Sequence, residues 1–143
     1  MIREQQESLD RGIDLFNEQR FFEAHEEWEQ EWRLMGRGGE RDFFQGLIMA
    51  AASLYHYLQH ECVGARSLLK KSMEYLKAGI DGHRDIGVTA VIKELERLQQ
   101  SFDACTFVAS GRLPVIRRNT VAWRGWVPGS RTREGGIACR TPG

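Results

Sequence analysis

Residues 43–58, FFQGLIMAAASLYHYL, are apolar nearly all the way round a helix. A segment of this kind is stable in water only when neighbours cover most of its faces. It calls for a domain in which other helices pack around one central helix, running from about residue 41 to 60. The remainder of residues 2–102 supplies those neighbours through three- and four-residue apolar steps. A first helix carries Leu9, Gly12, Ile13 and Phe16, and Asn17–Arg20 make a short turn. A second runs from about Phe21 to Met35 and stops at GRGG, a strong break. The fourth, about 64–78, places Ala65, Leu68, Leu69, Ser72, Met73 and Leu76 on one side. Lys70, Lys71, Glu74 and Lys77 take the other side, and Gly79 ends it. The fifth, about 88–102, uses Val88, Val91, Ile92, Leu95, Leu98 and Phe102. No segment alternates with period two, so the class is all-α, a compact bundle of about five helices.

The chain of 143 residues is the size of one domain with one core. Its net charge is +0, yet the charge is unevenly spread. Residues 117–143 hold six arginines (117, 118, 124, 131, 133 and 140) against Glu134, net +5, which leaves −5 on residues 1–116. The expected division is therefore a helical domain over 1–116 and a basic Gly/Arg-rich tail over 117–143. The tail lacks an amphipathic period, and its composition predicts a flexible or loosely docked segment. Trp123 and Trp126 are unusual in a pure linker and give it a means of docking or of pairing two copies in a homo-oligomer. A basic arm with aromatic residues is also a nucleic-acid feature, but no recognition fold accompanies it, which argues against that partner. The three cysteines, Cys62, Cys105 and Cys139, have no C-x-x-C spacing, which favours reduced thiols. No apolar run reaches the roughly 18 residues of a membrane span, and the start lacks a signal-peptide core. A cytoplasmic protein with no membrane partner is the expectation.

An internal repeat is also present. GIDLFNEQRFFEAHEEW and SLYHYLQHECVGARSLL align at an offset of 41 residues, pairing Gly12 with Ser53, Ala24 with Ala65 and Trp28 with Leu69. Each copy reads as a helix, a short turn and a second helix with a small residue near its start. The small residue allows two helices to cross closely, as in a tetratricopeptide hairpin. Two copies are too few for a solenoid, so the bundle is expected to be built on two such hairpins.

The chemistry concentrates in FEAHEEWEQEW, residues 22–32. On a helix His25 falls in the apolar sector with Trp32, Phe21, Trp28, Met35 and Ala24 on one flank, and Glu29 and Phe22 on the other. Glu26 and Glu31 lie at the margins, and Glu23, Glu27 and Gln30 face solvent. An unpaired buried carboxylate is costly, so His25 and Glu29 need partners. Antiparallel pairing across GRGG sets Glu29 opposite Leu47 and His25 opposite Ala51. Gln45 and Arg41 can then reach Glu29, and His56 lies on the same stripe. The expectation is a buried polar cluster of His25, Glu29, Arg41, Gln45 and His56, with Trp32 beside it.

The stretches FNEQRFFEAHEEWEQEW, RDFFQGLIMAAASLYHY and GARSLLKKSMEYL, taken in order, resemble the domain of unknown function 309 family over roughly residues 8–105. The resemblance implies a small all-helical protein without an established activity. Its shared motif falls on Glu23, Ala24, His25, Glu26, Glu29 and Trp32, on Arg41, Gln45 and Gly46, and on Gly64 and Ala65. His56 matches a frequent histidine. Such proteins are sometimes labelled predicted metal-dependent hydrolases.

Three readings of the cluster stay open. The first is a satisfied polar network that only fixes helix packing. A second is a metal-dependent hydrolase. HEEWE supplies an H-E-x-x-E string in which His25, Glu29 and His56 would hold a divalent metal and Glu26 would act as base. The third is a binding module for a peptide or small anionic ligand, with Arg41 and His56 at its floor.

Overall fold

The computed structural model of the chain describes residues 2–79, 87–103, 113–117, 133–134 and 136–139, and for 101–103 and the last two stretches the backbone alone. Five helices run in order: α1 Arg3–Asn17, α2 Phe21–Trp32, α3 Gly39–Leu58, α4 Cys62–Ala78 and α5 Val88–Asp103. Each packs on its neighbour in sequence, α1 on α2, α2 on α3, α3 on α4 and α4 on α5. The all-α class follows. Two extended stretches, β1 Arg133–Glu134 and β2 Gly136–Cys139, pair with each other and are too short to form a layer. Among the described residues no helix is long and apolar enough to cross a membrane. Trp123, Trp126, Cys105 and His83 lie outside the described residues, as does the expectation of a docked or flexible tail up to residue 132.

α3 is the centre of the core, as its apolar girth requires. Phe43, Phe44, Leu47, Ala50, Ala51, Leu54 and Tyr57 are all buried, facing α2 on one side and α4 on the other. Leu9, Ile13 and Phe16 of α1 and Val88, Val91, Leu95 and Leu98 of α5 close the ends of the row. Burial of these side chains is the main favourable term in folding such a domain.

The two hairpins, α1–α2 and α3–α4, repeat at the level of the backbone. Gln19 and His60, offset by 41 residues, both take the left-handed conformation, with φ of 65° and 63°. Around them the hydrogen bonds correspond one by one. Gln19 N donates to Phe16 O as His60 N does to Tyr57 O, and Arg20 N donates to Leu15 O as Glu61 N does to His56 O. A left-handed residue just after a helix turns the chain back while satisfying end carbonyls. The connection between the hairpins differs. Gly38, at φ 143°, adopts a backbone conformation open to glycine and lets α3 start after a six-residue link.

The crossings differ in what fills them. At Gly12 a Cβ would lie 1.9 Å from Trp28 Nε1, so the indole of α2 lies directly on the α1 backbone and donates to Leu9 O at 3.3 Å. In the second hairpin Ser53 occupies the Gly12 position, and its Oγ donates to Ala65 O at 2.7 Å. Ser72 Oγ donates to Gly46 O at 2.8 Å, and Ser8 Oγ to Glu27 O at 3.1 Å. Each buried hydroxyl finds a carbonyl on the facing helix, as buried polar groups must.

Candidate functional site

α2 and α3 run antiparallel, and two aromatic contacts mark the ends of the seam between them. At one end Phe22 packs against Tyr55, with ring centroids 5.4 Å apart. At the other the Arg41 guanidinium sits 4.0 Å above the centre of the Trp32 ring, a cation–π contact. His25 lies between them, one turn along α2 from Phe22, whose ring stacks on the imidazole at 6.1 Å.

Arg41 is held by the chain end it meets. The last carbonyls of a helix have no intrahelical partner. Arg41 Nη1 donates to two carbonyls there, Trp32 O at 2.9 Å and Met35 O at 2.7 Å. This side chain from the start of α3 therefore caps α2 and fixes its own plane over the indole. The guanidinium's Nε and Nη2 make no hydrogen bond to a described residue.

Two ring nitrogens in this seam lack partners. His25 Nδ1 and Trp32 Nε1 are both shielded from solvent, and neither has a hydrogen-bond partner among the described residues. They lie seven residues apart, two turns along one face of α2. A buried polar atom left unpaired costs on the order of 1–3 kcal/mol, so each needs a reason for being there. The contrast with Trp28 is direct, since that indole sits in the same helix and has its carbonyl.

The expected five-residue network does not form. Glu29, a third exposed, pairs with Arg33 one turn along its own helix at 3.3 Å rather than with His25, Arg41 or Gln45. The reason is local: a neighbouring guanidinium at i+4 reaches the carboxylate at the surface and removes the need for a buried partner. Gln45 is half-buried and makes no hydrogen bond to a described residue. His56 turns to the α3–α4 turn, where its Nδ1 meets Glu61 Oε1 at 2.5 Å. Glu26 is exposed on the outer face of α2. The seam thus brings together His25, Trp32 and Arg41, with Phe22 and Tyr55, and leaves Glu29, His56 and Glu26 outside.

A divalent metal fits this arrangement poorly. Among the described residues no three His, Cys, Asp or Glu side chains converge as ligands would. His25, Glu29 and His56 point to three different places, and two of them already hold ion-pair partners. No step is derived through such an ion.

Sequence reasoning missed the capping role of Arg41 and the orphaned Trp32 nitrogen. The first had a signal: GRGG leaves the α2 carbonyls open, and an arginine two residues further on is placed to take them. A third omission is Asn17. Its Oδ1 accepts from Ile116 N at 2.8 Å and its Nδ2 donates to Ile116 O at 3.0 Å, tying the far end of the domain to α1. Nothing local betrays a contact across 99 residues.

On the outer surface of the first hairpin, Arg20 lies between Glu18 and Glu23 and bonds both. The hydrogen-bonded guanidinium holds the Glu23 carboxyl below its usual range, and the two carboxylates push Arg20 further up. Arg11 is raised likewise by its bond to Glu27.

No curated protein matches this sequence. A family model described as Domain of unknown function (DUF309) matches residues 9–68, which hold most of α1, all of α2 and α3, and the start of α4. The match stops short of the fifth helix that the sequence resemblance was expected to include. Over the stretch that builds the seam, residues 9–68, the chain is similar to the domain of unknown function 309 family.

Proposed function

We propose that the seam between α2 and α3 is a binding site for a small ligand bearing an acceptor or anionic group. The observation that carries this reading is the pair of shielded, partnerless ring nitrogens, His25 Nδ1 and Trp32 Nε1, on one face of α2. An indole N–H can only donate, so its missing partner is an acceptor. Arg41 adds a fixed positive charge beside it, with two guanidinium nitrogens that bond to no described residue. Arginine in a fixed plane suits a carboxylate or phosphate. Phe22 and Tyr55, both part exposed, would flank the rest of such a ligand.

The second hairpin supports the assignment by contrast. At the 41-residue offset, His25 corresponds to Arg66, Glu29 to Lys70 and Trp32 to Met73. Skeleton positions keep their character between the copies and the seam positions do not. The tetratricopeptide-like character of the hairpins belongs to the same proposal. In that architecture, paired helices present a groove.

A thermal-shift screen over anionic metabolites and short peptides tests the reading. One ligand class should raise the melting temperature, by an amount set by its concentration over Kd. Trp32→Phe and Arg41→Gln should abolish that rise. A screen in which no anion shifts the wild type, or in which both variants respond as the wild type does, contradicts it.

A further inference from the structure

We infer that the α2–α3 seam receives the carboxyl-terminal end of an extended peptide. Its free carboxylate lies at Trp32 and Arg41, and an apolar side chain, fourth from that end, lies on Phe22 and Tyr55. This rests on the reading of the seam as a ligand site and narrows that site to one class of ligand.

The spacing of the open nitrogens excludes a compact anion as the whole ligand. His25 Nδ1 and Trp32 Nε1 both lack partners among the described residues. Seven residues of helix separate them by about 10 Å, and one carboxylate or phosphate spans only a few ångströms. A ligand that serves both carries polar groups about 10 Å apart, which is the length of roughly three residues of extended chain. Phe22 lies one turn beyond His25, about 4.5 Å further along the axis, and touches Tyr55. The seam thus presents a donor with a cation at one end, a ring nitrogen along its length and two part-exposed aromatic rings at the other end. Both nitrogens are covered in the free chain, so side chains of the seam part as the peptide enters.

Charge and hydrogen bonding choose the class. The cation is at the Trp32 end, where the Arg41 guanidinium stacks on the indole. Beside His25, α2 carries Glu26 and Glu29 instead. A second anion is disfavoured there, so the group that meets His25 is neutral. A peptide unit suits it in either tautomer, since it offers both an N–H and a carbonyl oxygen. Gln45, one turn along α3 from Arg41, is half-buried and bonds to no described residue, and its amide asks for the same two partners. An acyl chain of equal length would supply the carboxylate and the apolar end but would leave His25 and Gln45 unpaired. A free carboxylate followed by neutral amides is the end of a peptide.

Calorimetric titration of the full-length chain tests this with an acetylated tetrapeptide of one phenylalanine followed by three alanines. The free acid should bind about tenfold tighter than the same peptide ending in an amide, because a charge-assisted bond is lost. It should also bind about tenfold tighter than N-acetylalanine, which carries the carboxylate alone. Replacing the phenylalanine with alanine should weaken it about threefold. His25→Phe should weaken the tetrapeptide about fivefold and leave N-acetylalanine unchanged, whereas Trp32→Phe should weaken both. Equal affinity of acid and amide overturns the inference. So does equal affinity of tetrapeptide and N-acetylalanine with both lost in Trp32→Phe, and in that case the seam still binds anions. If the tetrapeptide, N-acetylalanine and inorganic phosphate all fail to bind, the seam reading itself falls and takes this inference with it. Should His25→Phe lose helical content, the ligand series on the wild type decides alone.

Discussion

The two hairpins share a backbone and differ in everything laid over it. Both reverse through a left-handed residue, Gln19 or His60, and both cross at small residues. In the first, an indole fills the space over a glycine. In the second, Ser53 and Leu69 divide that space, and the serine bonds across it. The first hairpin is strongly acidic outside and presents His25 and Trp32 towards α3, whereas the second puts Arg66 and Met73 at the matching positions. A helical hairpin therefore needs only its turn and crossing residues to form. The remaining faces are free to carry charge and open polar atoms, and among the described residues the two open ring nitrogens lie on the α1–α2 copy.

Exchanging the crossings gives the largest expected effects. Trp28→Leu should cost about 2–4 kcal/mol as a large-to-small change in a core that cannot fully collapse. Gly12→Ser should cost about 1–3 kcal/mol or more, because its Cβ meets the buried indole. The double variant copies the second hairpin, and should be more stable than the two single costs summed by at least about 1 kcal/mol. Chemical denaturation of the four proteins measures this. Strict additivity would show that the two crossings are not alternative fillings of one backbone.

A smaller effect should be equal in both copies. A side chain in the left-handed region costs on the order of 1–2 kcal/mol, partly offset when glycine replaces it and its own chain entropy is paid. Gln19→Gly and His60→Gly should each therefore stabilise by about 0.5 kcal/mol. Opposite signs in the two melting temperatures would break the equivalence of the turns.

The smallest effect concerns pH. Glu23 has a folded-state pKa below its ordinary 4.5, chiefly through its hydrogen bond from Arg20. Its contribution is present above 4.5 and disappears as pH falls through the lower folded-state value. Both groups are exposed, so the contribution is slight. The melting temperature of Arg20→Gln should converge on that of the wild type as acid protonates Glu23. A gap that widens in acid would contradict the assignment.

Much of this was legible in the sequence. Apolar spacing located all five helices, since the buried stripe of Leu9, Gly12, Ile13 and Phe16, or of Ala65, Leu69, Ser72 and Leu76, follows from helical geometry alone. The repeat was legible for the same reason. What failed was pairing of polar side chains. Glu29 falls at the edge of the apolar sector by angle, but a long carboxylate beside Arg33 leans out to solvent, and angular position cannot reveal that. Arg41 was assigned to a carboxylate when two backbone carbonyls lay nearer. The second helix was expected to reach Met35 and ends at Trp32, because three-residue hydrogen bonds take over at Leu34 and Met35.

The claim that the α2–α3 seam is open for a ligand can be tested at a single proton. The indole N–H of Trp32, assigned by its loss in Trp32→Phe, should shift downfield in the proton–nitrogen correlation spectrum when the anion found in the thermal screen is added. The Trp28 indole, already bonded to Leu9 O, should stay where it is. A Trp32 signal that does not move at saturating anion, or that moves no more than that of Trp28, would contradict the account.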